Sequence, residues 1–294
     1  MIGETDAELR LTFRNKAGDV CWQKQLRDKH LSEGVPAVPH LDIGKAIVRE
    51  VNRKLAEQII LKYEWLGTLP NCSKYFGLFF GNYCAGVTGV LIGGCGANLN
   101  SWMEFGLSNY SELAYLARGA NVHWSPPGAN SKLVSWTCKL LSKRNEAKLI
   151  IAYSDTDAGE IGTIYQACNW ICIGKGSSTN QWIDPSGTIW DQKLPYDLKR
   201  RKGGTRAQWC DALRKAGWRE QKSNPKYRYV YVLDKTDKPL IARVEKMRVD
   251  YPKRGTGETD NAGQSNDQTG GASPTVPLLD LTGGTPELVT EVTH

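Results

Sequence analysis

Apolar and polar positions in the middle of this chain repeat with two different periods, and the changes of period mark its elements. Ile47 to Val51 reads as a strand, and Asn52 then stands as the N-cap of a helix whose stripe Leu55, Ile59, Ile60 and Tyr63 falls on one face. Tyr75 to Phe80 and Cys84 to Ile92 are dense apolar runs joined by Gly81-Asn82, which predicts a hairpin. Glu112 to Ala117 makes the next strand. The loop Trp124-Ser125-Pro126-Pro127-Gly128-Ala129-Asn130-Ser131 launches a second helix, capped by Asn130 or Ser131, with Leu133, Val134, Thr137, Leu140 and Leu141 as its stripe. Leu149 to Ala152 is too short for a helix and apolar on both faces, as a central strand is. A helix over Glu160 to Cys168, a strand over Trp170 to Ile173 and an alternating strand over Tyr227 to Leu233 complete the order β-α-β-β-β-α-β-α-β-β.

Three parts follow from this pattern. Residues 1–46 read as an extended arm with little core of its own, 47–250 as the domain, and 251–294 as an acidic tail whose Gly, Thr, Asp, Asn and Pro cannot offset the entropy of ordering. The tail's apolar patch is Val276 to Leu281. With 40% hydrophobic residues and no run of about 18 apolar positions, the 294-residue chain can build a full core but not a membrane-spanning helix. Its polar start, MIGETDAELR, carries no signal sequence, so the cytoplasm of a host cell, without membrane contact, is the expected location. Of eight cysteines, Cys72, Cys84, Cys95, Cys138, Cys168 and Cys172 fall mostly inside strand or helix patterns and are expected as buried, reduced thiols. Cys168, Cys172 and His123 lack the second pair that a structural zinc needs, so no metal site is expected from spacing.

Charge is uneven. Residues 256–294 hold six acids and no Lys or Arg, which leaves +13 on the rest of a chain whose net charge is +7. Between Lys193 and Arg254 there are 19 Lys and Arg against seven Asp and Glu, led by Lys199, Arg200, Arg201, Lys202 and Arg206 around a Gly203-Gly204 loop. A concentration of this kind suits a polyanion, although a merely solvated loop has the same composition. Tyr153, Ser154, Asp155 and Asp157 stand at the carboxyl end of the central strand, where open sheets bind ligands.

The order of elements resembles the N-acyltransferase (GNAT) fold of the acetyltransferase superfamily, an α/β architecture with a mixed sheet flanked by helices. In that fold the loop after the fourth strand wraps a pyrophosphate with backbone N–H groups at a helix N-terminus. Here it would be Ser125 to Ser131, with Gly128, Ala129, Asn130 and Ser131 as contacts for an acyl-CoA-like donor. The loop keeps only Gly128-Ala129 of the usual Gln/Arg-x-x-Gly-x-Gly/Ala pattern and adds two prolines.

A narrower resemblance is carried by Tyr63-Glu64-Trp65-Leu66-Gly67-Thr68-Leu69-Pro70, Tyr75-Phe76-Gly77-Leu78, Gly86-Val87, Glu112-Leu113, Asn130-Ser131, Ala152-Tyr153-Ser154-Asp155 and above all Gly162-Thr163-Ile164-Tyr165-Gln166-Ala167-Cys168-Asn169-Trp170. Together these are similar to the Mom-type phage DNA-modification proteins over about residues 47–233. The resemblance implies a bacteriophage enzyme that adds a carbamoylmethyl group to the N6 amino group of adenine in double-stranded DNA and so evades restriction. Some members carry a His-Tyr pair linked to bound iron where this chain has Glu64-Trp65.

The adenine amino group is a weak nucleophile because its lone pair is delocalised into the ring, so an enzyme must take a proton from it while holding the base. On this reading Asp155 contacts the amino group, Tyr153 and Tyr165 donate or relay a proton, Ser131 binds the donor and Glu64 supplies a second carboxylate. The base must leave the duplex stack, and Trp65, Trp124 and Trp170 are candidates to receive it. Arg118, Lys199, Arg200, Arg201, Lys202, Arg206 and Arg228 would hold phosphates. Each has a structural alternative: Asp155 as a cap, Tyr165 and Trp170 as core, Glu64 as a surface charge. Two other functions fit the same elements, an acyl-CoA-dependent N-acyltransferase acting on a small-molecule or protein amine and a non-catalytic DNA-binding module.

Overall fold

The structure, a computed structural model, describes residues 41–64, 69–93, 101–122 and 125–253. Trp65, Trp124, Cys95 and His123, most of the expected arm and nearly all of the acidic tail lie outside these residues. The chain runs through β1 (Ile47–Val51), α1 (Arg53–Tyr63), the hairpin β2 (Lys74–Phe80) and β3 (Tyr83–Ile92), a short α2 (Ser101–Glu104) and β4 (Leu113–Asn121). It continues through α3 (Ala129–Lys143), β5 (Leu149–Ser154), a one-turn α4 (Thr163–Ala167) and β6 (Ile171–Lys175). After an insertion come β10 (Tyr227–Val232) and α7 (Lys238–Lys246).

Seven strands form one sheet in the order β1-β2-β3-β4-β5-β10-β6. All neighbours are antiparallel except β4 and β5, which run parallel and are joined by α3. Side chains alternate across β5 and sort the core into two layers. Ile150 and Ala152 face the cluster under α1 and α3, whereas Leu149, Ile151 and Tyr153 face the one that holds Phe105, Leu240 and Val244 of α7. Burial of Leu149 to Ala152 on both sides is what an apolar, non-alternating run predicts.

Local chemistry explains most of the boundaries. The Asn52 side chain accepts the Leu55 N–H at 2.9 Å and starts α1, as expected. The turn Gly81-Asn82 closes the hairpin with Gly81 at φ +58°. The cap of α3 differs from expectation: Gly128, at φ +81°, begins the helix, and Asn130 and Ser131 lie in its first turn. The helix expected over Glu160 to Cys168 is shortened to α4, because Gly159 and Gly162 both take left-handed conformations and break the approach. Cys72, Cys84, Cys138, Cys168, Cys172 and Cys210 are buried thiols, and burial pushes those of Cys84, Cys138 and Cys168 up.

The largest departure from the expected order lies between β6 and β10. There the chain builds β7 (Asn180–Ile183), β8 (Ile189–Trp190), α5 (Leu194–Lys202), α6 (Arg206–Lys215) and β9 (Arg219–Lys222). The three strands pair as a separate sheet, β8-β7-β9. Trp182, Trp190, Leu194, Leu198, Cys210 and Leu213 give this insertion a core of its own. The expected basic loop from Lys199 to Arg206 is therefore the end of one helix, a Gly203-Gly204-Thr205 turn and the start of the next, where Thr205 and Gln208 form a reciprocal cap. Among the described residues no helix is long and apolar enough to cross a membrane.

Gly86 shows how tightly the sheet is fitted around the helix it carries. A Cβ there would stand 2.1 Å from the end of the Asn121 amide on the paired strand. Gly86→Ala is expected to displace that amide and cost about 1–3 kcal/mol, read as a lowered urea midpoint with an unchanged slope.

Candidate active site

Strands β4 and β5 are paired from Leu113–Leu149 to Leu116–Ala152 and then part. Beyond that point β4 continues to Asn121 and β5 to Ser154 without register between them. The carboxyl end of β5 and the second half of β4 thus form the two walls of a cleft, the kind of interruption at which open sheets take ligands.

The N-terminus of α3 stands at the end of the β4 wall. With its amide nitrogen toward its two acceptors, Asn121 donates to Ala120 O at 3.3 Å and to Asn130 Oδ1 at 2.9 Å, and its oxygen accepts the Asn130 N–H at 3.0 Å. The Ala129 N–H is held by Pro126 O at 3.2 Å and the Lys132 N–H by Gly128 O at 2.9 Å. Only the Ser131 N–H is left to a ligand among the first-turn donors. A pyrophosphate needs several converging donors, so the acyl-CoA cradle expected at Gly128, Ala129, Asn130 and Ser131 does not fit these residues. Ser131 itself is occupied from behind, its carbonyl accepting the Cys168 thiol at 3.3 Å, and no hydrogen bond joins it to the carboxylates of the cleft.

Those carboxylates gather at the end of β5. Asp155 is 3% exposed. Its Oδ2 meets Lys226 Nζ at 2.7 Å and its Oδ1 accepts the Asp157 N–H at 3.1 Å, so it both caps a 3-10 turn and forms a nearly buried ion pair. The Asp155 N–H is bonded at 3.1 Å by Oε2 of Glu160, whose own N–H returns to Asp155 O at 3.1 Å. From the opposite wall comes Glu64, buried at the C-cap of α1 rather than on the surface, with its Oε2 3.9 Å from Arg118 Nε on β4. The charges of Asp155 and Glu64 both act on Glu160. Burial first, with the charges of these two carboxylates adding to it, pushes the Glu160 carboxyl up to about 7, against the relief given by the Asp155 N–H and, less, by Lys226. Among the described residues no three His, Cys, Asp or Glu side chains are grouped to hold a metal ion.

The Gly162 to Trp170 string forms the floor beneath this cluster. Gly162 sits at φ +75°, and a Cβ on it would meet the Tyr229 ring at 2.3 Å. Tyr165 lies between the rings of Trp170 and Tyr229, at 5.1 and 5.2 Å, and burial together with the Glu160 charge holds its phenol protonated far above the ordinary range. Gln166 ties Ile161 O, the Tyr229 hydroxyl and Pro252 O together, and Tyr229 donates to Ile161 O at 2.6 Å. Trp170 is fully buried, so it belongs to the core and not to a stacking surface. Tyr153 packs into the second apolar layer opposite Arg228.

The return limb of the insertion closes the cleft from the side. Asn224 donates from N and Nδ2 to the two Asp157 oxygens at 3.1 and 2.7 Å, and Lys226 reaches Asp155. The two limbs are clasped at Gly176–Lys226 and Thr179–Ser223. Beyond this neck, Lys199, Arg200, Lys202 and Arg206 are exposed around the α5–α6 turn, with Arg201 half-buried and Arg206 stacked 5.0 Å over the exposed Tyr196 ring. Arg228 stands apart from this tip, its Nη1 held by both Glu104 oxygens at 2.9 Å.

Sequence reasoning passed over Glu160, Lys226 and Asn224. Glu160 read as an ordinary first-turn acid of a helix, and Lys226 as one more charge in a basic stretch; only their return to Asp155 and Asp157 through folding sets them apart. A mixed sheet with a parting between its fourth and fifth strands, carrying charge at the cleft, defines an N-acyltransferase-like α/β protein. The sequence matches the Mom protein family over residues 45–253, and the chain belongs to that family. No curated protein is significantly similar in sequence. Among solved structures it is similar to an N-acetyltransferase from Staphylococcus aureus Mu50, with 7% identity over 64% of this chain and 97% of that one and a TM-score of 0.34. It is also similar to the IAA acetyltransferase from Bacillus cereus ATCC 14579, with 10% identity, 64% and 99% covered and a TM-score of 0.35. The spermidine/spermine N-acetyltransferase SpeG from Vibrio cholerae matches at 7% identity, 66% and 95% covered, with a TM-score of 0.37.

Two measurements check the electrostatics. Lys226→Met leaves the Asp155 charge buried and is expected to cost about 2 kcal/mol at neutral pH in urea unfolding, less than a fully buried pair because Lys226 is partly exposed. Glu160 is harder to ionise folded than unfolded, so its contribution to stability is complete below the ordinary glutamate range and is lost as pH rises through about 7. Glu160→Gln is therefore expected to gain on the native protein between pH 5 and 8 in parallel urea titrations.

Proposed function

We propose that this protein is a transferase that modifies DNA, placing a carbamoylmethyl-like group on the N6 amino group of adenine and thereby shielding the DNA from restriction. The observation that carries the reading is the neck that joins a basic, exposed helix–turn–helix tip to the carboxylates of the β4–β5 cleft, in a chain of the Mom family. A polyanion bound on Lys199, Arg200, Lys202 and Arg206 lies on the element whose return limb holds Asp155 and Asp157. Phosphate contacts there position a duplex without reading its bases, while the carboxylates serve an amine that must lose a proton as it is alkylated. The target adenine has to swing out of its stack to reach them.

The competing reading, acyl transfer from acyl-CoA to a small-molecule or protein amine, is disfavoured by the engaged α3 N-terminus, where Asn121 and Pro126 occupy the donors a pyrophosphate would use. Arg118, 3.9 Å from Glu64, serves on this reading as the counter-charge of that carboxylate.

DNA from cells expressing the protein, digested to nucleosides and weighed by mass spectrometry, is expected to contain a heavier deoxyadenosine that is absent with Asp155→Ala. Unmodified DNA beside abundant folded protein would overturn the reading. In fluorescence titrations with a short duplex, the Lys199→Ala, Arg200→Ala, Lys202→Ala triple variant is expected to weaken binding at all sequences. It should also flatten the slope of log affinity against log salt by about 2–3.

A further inference from the structure

We infer that Glu160, and not Asp155, is the group that accepts the proton of the acceptor amine. The inference rests on the amine-transfer reading above and deepens it. A proton acceptor needs an oxygen that can reach the substrate and is not already committed. Asp155 fails on both counts: it is 3% exposed, one oxygen is held by Lys226 at 2.7 Å and the other by the Asp157 N–H at 3.1 Å. Glu160 uses a single oxygen, Oε2, to hold the Asp155 N–H. Its Oε1 takes no hydrogen bond from a described residue, and the side chain is only partly buried where that of Asp155 is buried.

The groups that bear on Glu160 come from five elements: Asp155 after β5, Glu64 at the end of α1, Arg118 of β4 paired with that Glu64, Lys226 before β10, and Tyr165 of α4. Two carboxylates and a protonated phenol thus surround it, with the two cations each engaged to a different carboxylate. Asp155 then acts as a positioning residue. Its backbone N–H fixes Oε2, its ion pair with Lys226 fixes the loop, and its charge raises the proton affinity of Glu160. The step balances as one N–H bond broken, the proton moving to Oε1 while the electron pair stays on nitrogen. That pair forms the new N–C bond to an electrophilic carbon donor, whose leaving group departs with its own bonding pair. Proton transfer by a placed carboxylate is worth about 10²–10⁴ in rate.

The protein and its Glu160→Gln and Glu160→Asp variants, each confirmed folded by thermal melting after purification, are expressed in cells whose DNA is digested and quantified for the heavier deoxyadenosine, and are assayed in lysate across pH. Gln preserves the shape of the side chain and the acceptor for the Asp155 N–H while removing the base. Modification is expected to fall at least 100-fold in Glu160→Gln and to recover partly in Glu160→Asp. The rate in lysate should rise through pH about 7 for the native protein, and that limb should vanish from the residual activity of Glu160→Gln. Native protein that modifies DNA beside a Glu160→Gln variant within threefold of it would overturn this inference and leave the proposed function intact. Native protein that leaves DNA unmodified would overturn both.

Discussion

The ion pair between Lys226 and Asp155 is the contact on which the rest of this site depends. A carboxylate almost sealed from water cannot remain charged without a partner, and here the partner comes from the far limb of an insertion rather than from the sheet. That limb also brings Asn224 to Asp157 and Pro225 O to Thr156 Oγ1. The loop after β5 is thus fixed from two directions, and Glu160 is presented by its bond to the Asp155 N–H. Electrostatics and topology act together: the insertion is a basic module, and its neck is also the counter-charge of the cleft.

The string from Gly162 to Trp170 was the most specific part of the sequence resemblance, yet most of its residues serve structure. Gly162 is small because Tyr229 occupies its Cβ position, Gln166 gathers Ile161 O, the Tyr229 hydroxyl and Pro252 O beneath the loop, and Trp170 fills the core. Such a floor has a chemical consequence, because rings and a protonated phenol beneath Glu160 lower the polarity around its carboxylate. The parting of β4 and β5 supplies the opening, and the Asn121–Asn130 contact engages the donors of the α3 terminus beside it.

Much of the fold was legible along the chain. Dense apolar runs, the Gly81-Asn82 turn and the Asn52 cap each act within a few residues, so they report their element directly. The insertion was legible only as charge. Its core of Trp182, Trp190, Leu194, Leu198, Cys210 and Leu213 is scattered over short elements, none long enough to show a period, and the Gly203-Gly204 turn reads the same in a loop as between two helices. The α3 cap was misplaced because Asn130 is a good cap by composition, whereas Gly128 can take the left-handed conformation the chain requires there.

What the sequence determined by itself was the succession of the main strands and helices and the family to which the chain belongs, because these depend on local periodicity and on side-chain type. Which carboxylate is engaged and which remains available was decided by the tertiary structure alone. Glu64, Asp155, Glu160 and Lys226 are spread over more than 160 positions, and their ionisation depends on mutual distance and on burial, neither of which a linear chain contains.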